Sequence, residues 1–191
     1  MGDGVISLRD GPAGYGIVTK SLHWLTVLVL ATQLLVGYSM TRSDDLLEAP
    51  IDRWLDGDEE RLIVVHAGLG VCILVLATIR LLWRILTPLP PWAEGLSHGE
   101  RRLEHRTEQV LYLSLFLIPI TGMALLFGSG EDWDISKRGE WESPWEFADD
   151  DVLLVGHIAS HLLFYAALAL HVGLVLKHTV IKRDGQLWRM L

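Results

Sequence analysis

Long apolar runs alternate along the chain with short charged stretches. Four segments, roughly 17–40, 62–86, 108–127 and 152–177, carry at most two formal charges each. A bilayer core about 30 Å thick takes about 20 mostly apolar residues of helix. Each segment meets that length, so the pattern predicts four transmembrane helices. The runs are continuous and lack the two-residue alternation of a membrane strand, which argues against a closed barrel. Pro119 is expected to kink the third helix, and Gly122 to let a neighbour approach it closely. The expected fold is therefore an all-α integral membrane protein, a four-transmembrane-helix bundle forming one domain over residues 1–191.

The polar stretches orient that bundle. Loop 41–61 holds three basic and eight acidic residues, and the Trp-rich loop 128–151 holds two basic and nine acidic. Arg80, Arg84, Arg101, Arg102 and Arg106 cluster around the Pro-containing loop 87–107, and Lys177, Lys182, Arg183 and Arg189 follow the fourth run. The positive-inside rule places the basic face and both termini in the cytoplasm, N-in and C-in. A cytoplasm-facing membrane, crossed several times, is the expected location. Residues 1–16 are polar and Gly-rich, and no A-x-A site follows, so the first run is expected to be a retained helix. A net charge of −8 gives no reason to expect nucleic acid as a partner. Cys72 is the only cysteine, so neither an internal disulfide nor a paired-cysteine metal or covalent haem site can form.

Histidines then become the informative residues. An ionisable side chain within a span is costly and marks a functional site by default. His23, His66, His157, His161 and His171 all lie inside apolar runs. His23 and His171 lie about 9 and 10 Å from the cytoplasmic ends of their helices, at 1.5 Å per residue. His66 and His157 lie about 7–8 Å from the outer ends. The four form two depth-matched pairs, His23/His171 and His66/His157. On the fourth helix, the fourteen residues between His157 and His171 fall about 40° short of four turns, so both project from nearly one face about 21 Å apart. His161 sits deeper without a partner and is read as a packing or supporting residue. His178 is read as interfacial, near a cofactor carboxylate, and His98 and His105 as solvated. The bland alternative is that each histidine only cross-links helices by hydrogen bonds.

Ligands in twos, at two levels and without cysteine, do not suit a closed four-ligand zinc site. They suit haem iron held between two neutral imidazoles, which leaves no open position and favours electron transfer. Two non-covalent b haems are expected, their propionates reaching the interface. Lys20, Arg80, Arg84 and Lys177 are candidate propionate partners at the inner level, with positive-inside anchoring as the alternative for each. Arg53 and Arg61 are weaker candidates at the outer level. Most of the eight Trp residues are read as interfacial belts. A proton or metal pathway between the levels would cross apolar stretches such as 27–31 and 73–77.

The motifs S-L-H-W (21–24), V-H-A-G (65–68), R-L-L-W-R (80–84) and Y-L-S-L-F-L-I-P-I-T-G (112–122) together resemble the prokaryotic cytochrome b561 family. The His157/His171 pair and K-H…R-D-G-Q-L-W-R-M-L (177–191) extend the resemblance over nearly the whole chain. That family includes b-type subunits of nickel hydrogenases. The resemblance implies haem ligation by His23, His66, His157 and His171, the same four that depth matching selects. It also implies electron transfer between the membrane quinone pool and a periplasmic or membrane redox partner, such as a dehydrogenase subunit, with a bound quinone. Superoxide:quinone oxidoreduction within the same family, or a non-redox membrane anchor, are the alternatives. Two features depart from the family: Glu108 stands where many relatives carry His, and loop 128–151 is long. The net −12 of the two acidic loops would steer a cationic redox protein to the outer face and repel superoxide.

Overall fold

The computed structural model of the chain describes residues 7–12, 14–40, 59–92, 96–130, 132–134 and 140–191. Four long helices dominate it: α1 (Ile17–Met40), α2 (Glu59–Leu86), α3 (His98–Gly128) and α4 (Asp150–Leu176). All four are long and apolar enough to cross a membrane, with mean hydropathies of 1.4, 2.6, 2.2 and 1.8. Large apolar side chains point outward along them, among them Leu28, Ile85 and Leu162, each at least 64% exposed. On a soluble protein so much apolar surface would aggregate; on spanning helices it is the face that meets lipid. Most of the acidic loop 41–61, including Arg53 and Trp54, lies outside the described residues.

Local chemistry sets the helix ends. The first N–H groups of α1, which no intrahelical carbonyl can serve, are taken by the segment before it. Ile17 and Val18 donate to the carbonyls of Ser7 and Leu8, and Gly16 N–H donates to the Asp10 carboxylate at 2.7 Å. A Cβ on Gly16 would meet the Arg9 and Leu8 backbone at 2.5–2.7 Å, so only glycine fits under that crossing. Beyond α2, Thr87 bonds back to Trp83 O, and Pro88, Pro90 and Pro91 prevent further helix.

The third helix starts ten residues earlier than its apolar run suggests. Ser97 and Glu100 form a reciprocal capping box, with Glu100 N–H on Ser97 Oγ at 3.3 Å and Ser97 N–H on Glu100 Oε2 at 3.0 Å. The basic residues 101–106 therefore lie on helix, where the sequence pattern places a loop. His98 and His105 are exposed, as expected. Within the acidic segment after α3, β1 (Asp132–Asp134) and β2 (Glu140–Glu142) pair antiparallel, with Trp133 opposite Trp141. Residues 145–147 bond back to 127–130, and the exposed Trp145 and Phe147 rings stack.

Contacts divide the chain into two compact units, residues 1–26, 76–115 and 162–191, and residues 27–75 and 116–161. The first unit buries Ala77, Leu115, Phe164 and Ala167. Trp83 Nε1 donates to Thr19 Oγ1 at 3.0 Å, and Glu100 receives both Lys177 and Lys182 at 2.9 and 2.6 Å. The second unit buries Val36, Leu62 and Ile73.

Below α4 the first unit ends in an unusual turn. Residues Lys177–Lys182 form one turn of π-helix, Arg183 turns left-handed at φ 52°, and Gln186–Arg189 close a short 3₁₀ helix. This tail is held from several sides. Trp24 Nε1 donates to Met190 O at 2.8 Å, Arg189 donates to Pro91 O at 2.6 Å, and Asp184 accepts from His178 Nδ1 at 2.5 Å.

That last bond holds the Asp184 carboxyl below its ordinary value of 3.8. A carboxylate with a depressed folded-state pKa adds stability that is complete above its ordinary value and lost as pH falls through the lower folded one. Amide hydrogen exchange should therefore show residues 184–190 protected at neutral pH and loosening below about pH 4. In Asp184→Asn the same amides should exchange faster already at pH 7; unchanged protection there would assign the tail's order to other contacts.

Candidate metal centres

Each unit contains a pair of half-buried histidines. In the first unit His23 of α1 and His171 of α4 face each other with ring centroids 6.4 Å apart and planes at 57°. In the second unit His66 of α2 and His157 of α4 do the same at 6.2 Å and 90°. These are the two pairs that depth matching predicts.

The spacing distinguishes two uses of a histidine pair. A direct N–H···N bond of about 2.9 Å would bring two imidazole centroids to about 5 Å. Two imidazoles on opposite sides of one metal, each with a bond of about 2.0 Å, have centroids about 6.2 Å apart. Both pairs stand near the second distance, a spacing that leaves room for a metal between the rings.

Surrounding groups strengthen the fit. Thr121 Oγ1 donates to backbone carbonyls of its own helix at 2.9 Å and stands 3.1 Å from His157 Nδ1. With its proton so engaged, the hydroxyl accepts from Nδ1–H, which fixes the tautomer and turns the Nε2 lone pair to a metal. His66 Nδ1 is buried without a hydrogen-bond partner, while Gln33 Nε2 lies 3.2 Å from its Nε2. Gln33 Oε1 is also buried without a partner. With the amide turned over, Oε1 accepts from Nε2–H and the Nδ1 lone pair is free for a metal, which removes the cost of about 1–3 kcal/mol for an unbound buried nitrogen. Glycines face both rings of this pair. A Cβ on Gly37 would meet His66 Cε1 at 3.0 Å, and one on Gly122 would meet His157 Cε1 at 3.0 Å. The close approach expected at Gly122 is therefore toward an imidazole.

The candidate propionate partners lie in different settings. Arg80 Nη2 stands 3.4 Å from His23 Nδ1, and its guanidinium covers the Tyr112 ring at 5.5 Å. Arg84 makes a bidentate pair with Glu108, at 2.5 and 2.8 Å. Lys177 pairs with Glu100, and Lys20 lies half-buried in the first turn of α1. Arg80, Arg84, Glu108 and Tyr112 line one polar cleft of about 60 Å³, together with Asp10, Tyr15 and Thr19. Burial raises the pKa of the Tyr15 phenol at its edge, keeping it a hydrogen-bond donor.

His161 donates from Nδ1 to the carbonyl of His157 at 2.8 Å, and its ring meets the His157 ring edge-on at 4.8 Å. That contact braces the His157 ring. His178 differs from its sequence reading: it is fully buried, enclosed by the π-turn and bonded to Asp184.

Comparison with known proteins gives this arrangement its family. Residues 14–191 match the family model described as prokaryotic cytochrome b561. The chain is 27% identical to cytochrome b561 homolog 2 of Escherichia coli K12, covering 97% of this chain and 95% of the relative. It is 25% identical to a probable superoxide oxidase, CybB, of Yersinia pestis, covering 93% and 95%. Cytochrome b561 homolog 1 of Escherichia coli K12 matches at 25% identity over 89% and 92%. The chain belongs to the prokaryotic cytochrome b561 family, whose members are membrane electron-transfer proteins with b-type haem.

Proposed function

We propose that this protein holds two b haems, one between His23 and His171 and one between His66 and His157, and carries electrons between the membrane quinone pool and a redox partner on the outer face of a bacterial inner membrane. The observation that carries the reading is the 6.2–6.4 Å separation of both imidazole pairs, which suits six-coordinate iron and not a hydrogen-bonded pair. Bound there, haem supplies a one-electron Fe(III)/Fe(II) couple with no open coordination position.

The protein's part is to orient and insulate. Thr121 and His161 fix the His157 ring, and Gly37 and Gly122 keep Cβ atoms away from the outer-pair rings. Arg80 beside His23 puts a cation where a propionate needs one, and Lys20, Arg84 and Lys177 add positive charge, the last two shared with Glu108 and Glu100. Arg80, Arg84 and Tyr112 also aim donors into the polar cleft, where quinone carbonyls would accept them. N-in and C-in topology follows from the basic residues around 80–106 and 177–189.

The acidic loops favour a positively charged outer partner, because complementary charge raises association rates by about 10 to 1,000-fold. Superoxide:quinone oxidoreduction is the second reading, favoured by the printed name of the Yersinia relative. The same acidic surface opposes the approach of an anion.

Three outcomes are expected. His66→Ala and His171→Ala should each reduce the pyridine haemochrome yield of purified protein from two haems per chain to one; unchanged colour would leave a helix-anchoring role. Gly122→Leu should lose the outer haem alone by pushing the His157 ring aside, while Gly68→Ala, facing open space within 4 Å, should keep both. Electron exchange with a lysine-rich soluble cytochrome c should slow at least several-fold between low and physiological salt; rates indifferent to salt would count against a cationic partner.

A further inference from the structure

His178 has no part in holding the metal pairs, yet it is the most completely enclosed ionisable group described, with 0% exposure. One nitrogen, Nδ1, donates to Asp184 Oδ2 at 2.5 Å. The other, Nε2, has no hydrogen-bond partner and faces Glu104 Oε1 at 3.7 Å. Glu104 accepts from Gln186 Nε2 at 3.0 Å. A neutral imidazole with its proton on Nδ1 would set a lone pair against a carboxylate across that gap. The conflict vanishes when one further proton lies between them, on Nε2 or on Glu104. The pair therefore has two proton arrangements separated by a short hop, which a small rotation or one water completes.

The ends of the cluster point in different directions. The Asp184 side chain is 22% exposed, so it meets water. Glu104 lies one helical turn before Glu108 on the same face of α3, a spacing of about 5–6 Å between Cβ atoms. Glu108 lines the polar cleft with Arg80, Arg84 and Tyr112. At about 60 Å³ the cleft exceeds the about 10–15 Å³ that one water needs, so it has room for a bridging water. Glu104 on α3 and Asp184 on the tail face the His178 ring, and Lys177 and Lys182 lie on its own turn. A π-turn at this point is itself informative, since such turns gather at functional sites.

We propose that Asp184, His178 and Glu104 form a proton relay that links the aqueous phase to the cleft at Glu108. The proposal rests on the quinone reading above. A benzoquinone reduced at the cleft takes up two electrons from the reduced haem chain and two protons, giving the quinol. Each proton leaves Glu108 for a quinone oxygen, and Glu108 recovers it from Glu104 through a water in the cleft. Glu104 takes the Nε2 proton of doubly protonated His178. The ring then turns over, so that its remaining N–H faces Glu104 and the freed nitrogen accepts the next proton from Asp184, which takes it from water. Imidazole suits the middle position because it accepts on one nitrogen while releasing from the other.

The test uses the purified holoprotein, reduced with limiting dithionite and mixed with decyl-ubiquinone in a stopped-flow spectrometer. Ferricyanide, an oxidant that takes no proton, serves as the reference. His178→Asn keeps a donor for Asp184 but cannot pass a proton from one side to the other. It should slow haem reoxidation by the quinone at least tenfold, raise the solvent deuterium isotope effect, and recover when free imidazole is added, with reoxidation by ferricyanide unaltered. Glu104→Gln, which still accepts from Gln186, should behave alike and serves if the first variant fails to fold. Wild-type quinone kinetics and isotope effect in either folded variant would reduce the cluster to a structural latch. Equal slowing with both oxidants would overturn the relay too, because the defect would then lie at the haem. A wild-type protein reoxidised by ferricyanide but inert to the quinone would defeat the quinone reading, and with it the relay, by a different signature.

Discussion

An imidazole carried into hydrocarbon must give its nitrogens to something. Water is absent, an unbound polar group costs kilocalories, and the surrounding Leu, Val and Ile side chains offer nothing. The four spanning histidines of this chain meet that demand in pairs, and the neighbouring residues are arranged around those pairs. Thr121 takes the Nδ1 proton of His157, His161 buttresses it from the next turn, and glycines at 37 and 122 leave the rings unobstructed.

Much of this was legible in the sequence because the membrane simplifies the code. Continuous apolar runs gave the helices, and a polar nitrogen within such a run is conspicuous. Depth along the helix, computed from rise per residue alone, paired His23 with His171 and His66 with His157, and the structure brings the same rings together. The start of α3 was also written in the chain, as Ser97 and Glu100 three residues apart. The apolar pattern hid it, because residues 101–106 are basic and a helix leaving the hydrocarbon no longer has to be apolar. Strand pairing of 132–134 with 140–142 gave no signal beyond alternating acidic and aromatic residues.

What could not be read was tertiary. Nothing in the triplet around His178 announces a π-turn, because the extra residue per turn leaves no periodic trace over six positions. The engagement of Arg84 by Glu108 was likewise invisible, since the two are 24 residues apart on different helices. That pairing also gives the departure from the family pattern at Glu108 a physical consequence. A carboxylate in place of an imidazole neutralises a cation beside the cleft and adds a proton-holding group to its wall.

The C-terminal tail shows how far the site extends. Trp24 follows His23 in sequence, its ring meets the His23 ring edge-on at 5.3 Å, and its indole N–H is bound to Met190 O, 166 residues away. Arg189 beside it donates to Pro91 O and lies over the Tyr15 ring at 5.8 Å. A free indole at the end of a lipid-facing helix would rotate among several rotamers and leave the adjacent imidazole less constrained. Tethered to the tail, Trp24 has one orientation, and the edge contact transmits it to the His23 ring. The left-handed turns at Arg183 and Gly185 return the chain beneath α1 to make that tether, and Asp184 between them holds His178. The tail that holds His178 through Asp184 thus also holds Trp24 against His23, so the proposed path for protons and the proposed inner metal centre share one support.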